Sequence, residues 1–434
     1  MKRCAAGVLC ALWLGACSTG DGGTSARPSG SAGPGGALAE DARDDDPHAT
    51  GLLPPTPEEV RWVQEHALAP GKVRPNALAL SRIQGERQAR GLSPLPVERI
   101  EAAWRLPAVP PPLPAVVDNS LLDAFPPIRS QGSLGSCASF SATYYQLTHT
   151  VALARGWNAK SGGDNYRFSP RWTYNLVNGG EDAGSTGHAP FSLIEKTGAA
   201  TWAQFPYNGS DYRSWVLDKA VWRSALQYRF GPMGSASGLD KSDGLRTLKQ
   251  LLANGHVLNL NTYVNSWQFI SGGIKDDPAT AADDAFVGQA ACHWMNGANG
   301  PHAMTIVGYH DELWIDINAN GAVDDGEKGA LKIANSWGTG WGTGGYAWIA
   351  YDALRDESRV AGAPSVGRIG AFTYALWTTV RPDQRPLLTA EVTLTHGKRN
   401  QLLLALGTGA VGDTAPAQTW YPGAPFYAGG PYAF

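Results

Sequence analysis

Apolar residues recur at helical spacing in three stretches. Phe140, Tyr144, Leu147 and Val151 fall at i, i+4, i+7 and i+11, which predicts a helix over 138–154. Leu245, Leu248, Leu251 and Leu252 predict a second over 245–253. Upstream, Val60, Val63 and Ala67 follow Thr56-Pro57-Glu58-Glu59, a capping box with proline at the first helical position. A further helix fits 77–90. Short apolar runs at 257–263, 303–309, 329–334 and 345–351 have strand length and strand composition. The mixture of periods predicts one α+β domain over 113–380, with no repeat at 20–50 residues.

The flanks read differently. Lys2 and Arg3 precede a short apolar run over 5–14, too short to span a bilayer, so 1–16 reads as a signal peptide. Leu14-Gly15-Ala16-Cys17 resembles the lipobox of bacterial lipoproteins. That resemblance implies lipidation of Cys17 and a membrane anchor. Ser18 after the cysteine favours the outer membrane or cell surface by the same resemblance. The alternative is an ordinary secretory signal cleaved near Ala16 and a secreted chain. Residues 17–50 form a Gly/Ser-rich tether. Residues 51–112 read as a helical, Pro-rich segment, closed by Pro107, Pro110, Pro111, Pro112 and Pro114, and either an inhibitory pro-segment or a spacer. Residues 381–434 read as a small β module built on strands near 387–395 and 401–406.

Composition narrows the function. In 434 residues the formal charge is −3 and charged residues are 17%, so no basic field favours nucleic acid. The 53 Gly and 30 Pro argue against a helical bundle or coiled coil. A monomer is expected. Past the leader only Cys17, Cys137 and Cys292 remain. If Cys17 carries lipid and Cys137 is needed free, Cys292 is an unpaired thiol.

Cys137 stands directly before the 138–154 helix, after the turn Gly132-Ser133-Leu134-Gly135-Ser136. A helix N-terminus offers free N–H groups and partial positive charge, which lower a thiol pKa and can hold an oxyanion. Gln131 can add an amide donor. Pro301-His302-Ala303 puts an imidazole at the start of an apolar strand. Ala334-Asn335-Ser336-Trp337-Gly338 puts a carboxamide at the end of another. An imidazole can take the thiol proton, and an amide can orient that imidazole.

These segments together resemble the papain-type cysteine peptidases, in which a Gln…Cys motif precedes a His on a strand and an Asn-Ser-Trp-Gly motif. The resemblance covers roughly 113–355. It implies a two-lobed fold, with a helical left lobe and a β-barrel-like right lobe. It also implies a peptidase acting through a thioester acyl-enzyme on protein or peptide substrates. Cys137 would be the nucleophile, His302 the base, Asn335 its orienting partner and Gln131 the oxyanion donor. Gly184 and Ser185 would line the substrate cleft with Trp337, whose indole would also cover the Asn–His bond. Two departures stand out: Leu134 replaces the family's first cysteine, and Ala138 replaces the aromatic after the nucleophile. The 165 residues from Cys137 to His302 exceed the usual ~130–150. The alternatives are an inactive binding module on the same fold, or an acyl transferase using the same intermediate.

Between His302 and Asn335 lies Asp316-Ile317-Asn318-Ala319-Asn320-Gly321-Ala322-Val323-Asp324-Asp325-Gly326-Glu327. It fits the calcium-loop pattern, with ligands from Asp316, Asn318, Asn320, Ala322 (backbone carbonyl), Asp324 and Glu327. A structural Ca²⁺ is expected there, and no catalytic cofactor. His188 and His256 read as surface or loop residues, and His310-Asp311-Glu312 as a solvated strand end.

Overall fold

The computed structural model describes residues 8–13, 49–69, 72–73, 76–92, 113–380 and 405–420. The chain divides into two units, 43–385 and a smaller one from 1–42 with 386–434.

In the smaller unit, β1 (Val8–Trp13) runs antiparallel to a strand at Ala405–Ala410, which pairs in turn with Gln418–Trp420. The C-terminal module therefore has two strands of its own among the described residues, and the third comes from the leader. The expected strand at 387–395 lies outside the described residues.

The larger unit begins with β2 (Leu52–Leu53), α1 (Pro57–Glu65) and α2 (Ala77–Ala89). Both halves of the predicted capping box form. Glu59 N–H donates to Thr56 Oγ1 (3.2 Å) and Thr56 N–H to Glu59 Oε2 (2.7 Å). Then come β3 (Val116–Asp118), the central helix, β4 (Ser185–Thr186) and the strands of the main sheet. These are β5 (Phe230–Ser237), β6 (Leu258–Tyr263), β7 (Trp267–Phe269), β8 (Ala291–Asn296), β9 (Pro301–Trp314), β10 (Lys328–Ala334), β11 (Tyr346–Ala350), β12 (Arg368–Ile369) and β13 (Tyr374–Val380). The order across the sheet is β12-β8-β11-β10-β9-β6-β13-β5, with β3 beside β9 and β7 beside β8. The four sequence-predicted strands coincide with β6, β9, β10 and β11.

The central helix is an α turn at Cys137–Ser139, a π-helical stretch at Phe140–Leu147 and an α-helix at Thr148–Arg155. The apolar period predicts one buried face. Instead, 137–149 is buried on every side, because the helix runs between the sheet and the helices Pro170–Val177 and Ala189–Thr197. Its polar side chains survive burial by hydrogen bonding across these contacts. Ser141 Oγ donates to Met304 O, Gln146 Nε2 to Val257 O, and His149 Nε2 bonds Gly255 O. The core follows this plan. One apolar cluster fills the sheet side around Leu260, Ile306, Ile333 and Trp348. Another fills the helical side around Leu147, Trp172, Phe191 and Phe230. This is the expected α+β, two-lobed papain-like plan.

His256 is buried, not a surface residue: its ring stacks edge-on against Trp377, and Nδ1 bonds Thr378 O. His188 is half-buried against Trp62. The 310–312 stretch is solvated only in part. His310 is buried with Nε2 on Ala282 O, and Asp311 takes Lys249 Nζ and the Tyr351 hydroxyl.

Candidate active site

Strand register brings two of the predicted residues together. β9 and β10 run antiparallel with Thr305 opposite Ala334. His302, near the start of β9, therefore stands beside Asn335, which directly follows β10. The His302 Nε2 to Asn335 Oδ1 distance is 2.8 Å. Ser336 N–H also donates to Asn335 Oδ1 (2.7 Å), which marks that atom as the carboxamide oxygen. The histidine proton therefore sits on Nε2, and Nδ1 keeps its lone pair. That nitrogen is buried and has no hydrogen-bond partner. The Trp337 ring lies 4.6 Å from the imidazole, as the sequence suggested. Tyr145 of the central helix holds the strand end by donating to Asn335 O (2.7 Å).

The third residue arrives from the opposite side. Cys137 opens the central helix and packs against Ala303, the residue next to His302, whose backbone favours the thiolate. Ala303, Cys137, Ala138 and Leu52 form one buried apolar cluster. The turn before the cysteine is braced by Asp182. That carboxylate accepts from Gly135 N–H (2.9 Å) and from the Tyr174 hydroxyl. Tyr207 ties the two ends of the turn, donating to Gln131 O and accepting from Ser136 Oγ, both at 2.8 Å.

Gln131 is oriented from the Asn335 side. Its Oε1 accepts from Ser336 Oγ (2.6 Å), and its N–H donates to Ser336 O (2.7 Å). The Nε2 group is thereby turned inward, toward Leu134 O and Ala49 O, both at 2.9 Å. The sequence reading found Gln131 but not Ser336 as its holder, although Ser336 lies inside the same motif.

Ala49 is part of a stretch that the sequence reading did not place here. Residues 49–53 run through the cleft. Ala49 O accepts from Gln131 Nε2 and from Trp337 Nε1 (3.2 Å). The Gly51 backbone lies close enough to favour the Cys137 thiolate, and Gly51 O accepts from Ser185 N–H (2.9 Å). Leu52–Leu53 then pairs parallel with Ser185–Thr186. Glu59 of the capping box uses its other oxygen to accept from the Thr186 hydroxyl. Gly184 and Ser185 thus lie against the protein's own residues 51–53. The 17–50 tether cannot extend to 50, since Ala49 is already docked.

The electrostatics differ from expectation for the same reason. Burial pushes the Cys137 thiol up to about 11, against the N–H groups of Ala303, Ala138, Gly51 and Cys137 itself. Burial holds His302 down at about 4, opposed by the Asn335 bond. Thiol and imidazole are both neutral, and no hydrogen bond reaches Nδ1. The helix N-terminus does not prevail while 49–53 shuts out water. Cys292 is a free, buried thiol, as expected.

The calcium-type loop is closed by its own hydrogen bonds. Asp316 accepts from the N–H groups of Asn320 and Gly321, and Asn318 and Asn320 donate to Asp324. Glu327 is buried, accepting from Ile317 N–H and Trp314 Nε1. Ala319 takes a positive φ in this turn. Cys17 lies outside the described residues, and no described helix is long and apolar enough to cross a membrane.

The family profile described as papain family cysteine protease matches residues 113–366. A cathepsin L-like peptidase of Aedes aegypti is 27% identical over 246 residues, covering 55% of this chain and 59% of that protein. The senescence-specific cysteine protease SAG39 of Oryza sativa subsp. indica is 26% identical, covering 58% and 61%. The chain spans about three fifths of the length of these curated relatives. Among solved structures, xylellain, a cysteine protease from Xylella fastidiosa, aligns over 78% of this chain and 98% of its own, with 17% identity and a TM-score of 0.44.

Proposed function

The chain belongs to the papain family of cysteine proteases, and on that premise we propose that it hydrolyses peptide bonds, with Cys137, His302, Asn335 and Gln131 as its working residues. The observation that carries this reading is the histidine tautomer: Nε2–H is spent on Asn335, and Nδ1 is left free beside the strand residue that contacts the thiol. In the open cleft, Nδ1 takes the thiol proton and Cys137 attacks the substrate carbonyl. Gln131 Nε2, held inward by Ser336, donates to the oxyanion. His302 returns the proton to the leaving amine. Water, activated by the same nitrogen, then releases the acyl group from the thioester. Asn335 keeps the ring in the required tautomer throughout.

Residues 49–92 act as the inhibitory pro-segment in this proposal, not as a spacer. Support comes from Ala49 and Gly51, which occupy the Gln131 amide and the thiol that a substrate needs. Lipidation of Cys17 and anchoring at the outer membrane or cell surface complete the reading. So does a structural Ca²⁺ in the 316–327 loop, supported by the N–H groups that order Asp316 and Glu327 at its base. A chelator-sensitive melting temperature that Asp316→Ala abolishes is the expected result for that loop.

The test of the main reading is peptide-library cleavage after removal of the pro-segment, beside Cys137→Ser. Cleavage lost in Cys137→Ser supports it; equal cleavage by both removes it. Adding a primary amine distinguishes hydrolysis from acyl transfer by the product formed.

A further inference from the structure

Between β7 and β8 the chain leaves the sheet in an excursion over 270–290. Its stem is closed by Ile274 N–H to Gln289 O (3.0 Å) and Gly288 N–H to Ile274 O (2.9 Å). Lys275 N–H to Trp314 O (3.0 Å) ties it to the end of β9. Beyond the stem, 275–284 carries Asp276, Asp277, Asp283 and Asp284 against a single lysine.

Asp277 has a counter-charge: Lys328 Nζ lies 2.5 Å away. The other three aspartates converge. One oxygen from each of Asp276, Asp283 and Asp284 lies within 4.8 Å of the other two, and no other His, Cys, Asp or Glu trio converges in this way among the described residues. Asp276 and Asp284 are exposed, whereas Asp283 is fully buried. The Asp283 Oδ2 atom accepts from Asp277 N–H (3.0 Å), while Oδ1 is buried without any hydrogen-bond partner.

The neighbouring cations are committed elsewhere. Lys328 is held by Asp277 and lies 3.9 Å from Glu312, and Lys275 Nζ donates to Ser271 O. The His310 ring bonds Ala282 O, and burial keeps it below its ordinary pKa. A buried carboxylate oxygen with no donor, beside two further carboxylates, is unfavourable unless a positive charge joins it.

We propose that Asp276, Asp283 and Asp284 bind a divalent cation, with Ca²⁺ the best match to an all-oxygen ligand set whose exposed side admits water. The exposed pair captures the ion and Asp283 anchors it to the protein interior. The cation fixes the excursion onto the sheet, where Phe286 packs edge-on against His310 (5.0 Å) and Trp348 (5.5 Å). This site is separate from the 316–327 loop and independent of the peptidase reading.

The test is calorimetric titration of calcium chloride into the full chain, stripped by chelator and carrying Cys137→Ser to prevent self-digestion. Asp276→Asn with Asp284→Asn, both at the surface, should remove one equivalent of bound calcium and shrink the calcium-induced rise in Tm. Asp316→Ala should leave that equivalent in place. Asp283→Asn should remove the same equivalent. If it fails to fold, the surface pair decides alone. Identical stoichiometry and identical Tm response in wild type and the surface double variant overturn the proposal, as does no calcium binding by either.

Discussion

Gly51 and Gly135 meet backbone to backbone. A Cβ added to Gly51 would collide with the carbonyl oxygen and Cα of Gly135, and one added to Gly184 would collide with the Gly51 carbonyl. The chain in the cleft is thus pressed between two walls of main chain, and only glycine fits at 51. Gly51→Leu is expected to expel it. A clash of this kind costs about 1–3 kcal/mol, or ~5–150-fold in occupancy of the cleft. Hydrolysis of a fluorogenic peptide by the uncut chain should rise by a comparable factor. Unchanged activity in Gly51→Leu would mean that 49–53 does not inhibit.

The thiol reports the same opening. In the closed chain, burial pushes Cys137 up to about 11. Removing that burial leaves the Ala303, Ala138 and Cys137 N–H groups, which favour the thiolate. The pH midpoint for iodoacetamide alkylation of Cys137 should therefore fall in Gly51→Leu. Cys292, pushed up to about 12 by burial in the sheet, should stay unreactive in both. Equal midpoints for Cys137 in the two proteins would contradict this.

On the proposed mechanism, Asn335 and Gln131 serve different steps. In the Gly51→Leu background, Asn335→Ala should lower kcat by about 10²-fold or more, through loss of the imidazole tautomer. Gln131→Ala should cost ~10²–10³ in kcat. Ser336→Ala leaves the amide present but free to turn, so kcat should drop less and KM should hardly change. A Gln131→Ala enzyme with full kcat would remove the amide from the oxyanion site.

Acid should destabilise the protein well above the carboxylate range. Burial holds His149, His256 and His302 at about 4, against about 6.5 in the unfolded chain. The unfolded state binds protons first, so stability falls as pH drops through 6.5, and the loss levels off near 4. Each histidine contributes at most about 3 kcal/mol to that loss. Urea midpoints at pH 7.5, 5.5 and 4.5 should decline in that order. A flat series would show that these rings take up protons as readily in the folded chain as in the unfolded one.

Much of the candidate site was legible in the amino-acid sequence. Cys137, His302 and Asn335 sit at the ends of strongly patterned elements, and pattern is what a sequence displays. The burial of the central helix on all sides was hidden, because Ser141, Gln146 and His149 look solvent-facing until their partners on other elements are known. His256 lies in a loop, as one of the two expectations had it, but its burial there was hidden for the same reason. The cleft occupant was foreshadowed only by the inhibitory alternative for 51–112, and which residues enter the cleft was hidden: Ala49, Gly51 and Leu52 have no periodicity, and Gly51 is one glycine among many beside a Gly-rich stretch. The thiol's raised pKa followed from that same omission.

Order along the chain has a kinetic consequence. The strip over the thiol comes before α1 and α2, and Glu59 in the first turn of α1 clasps Thr186 of the cleft wall. A nick anywhere in 93–112 therefore releases a fragment that still carries both the obstruction and its handle. Before the nick, its effective concentration is set by the connecting chain; afterwards, by how far the fragment can diffuse away. Onset of activity after such a nick should then be slow, and faster in dilute samples than in concentrated ones.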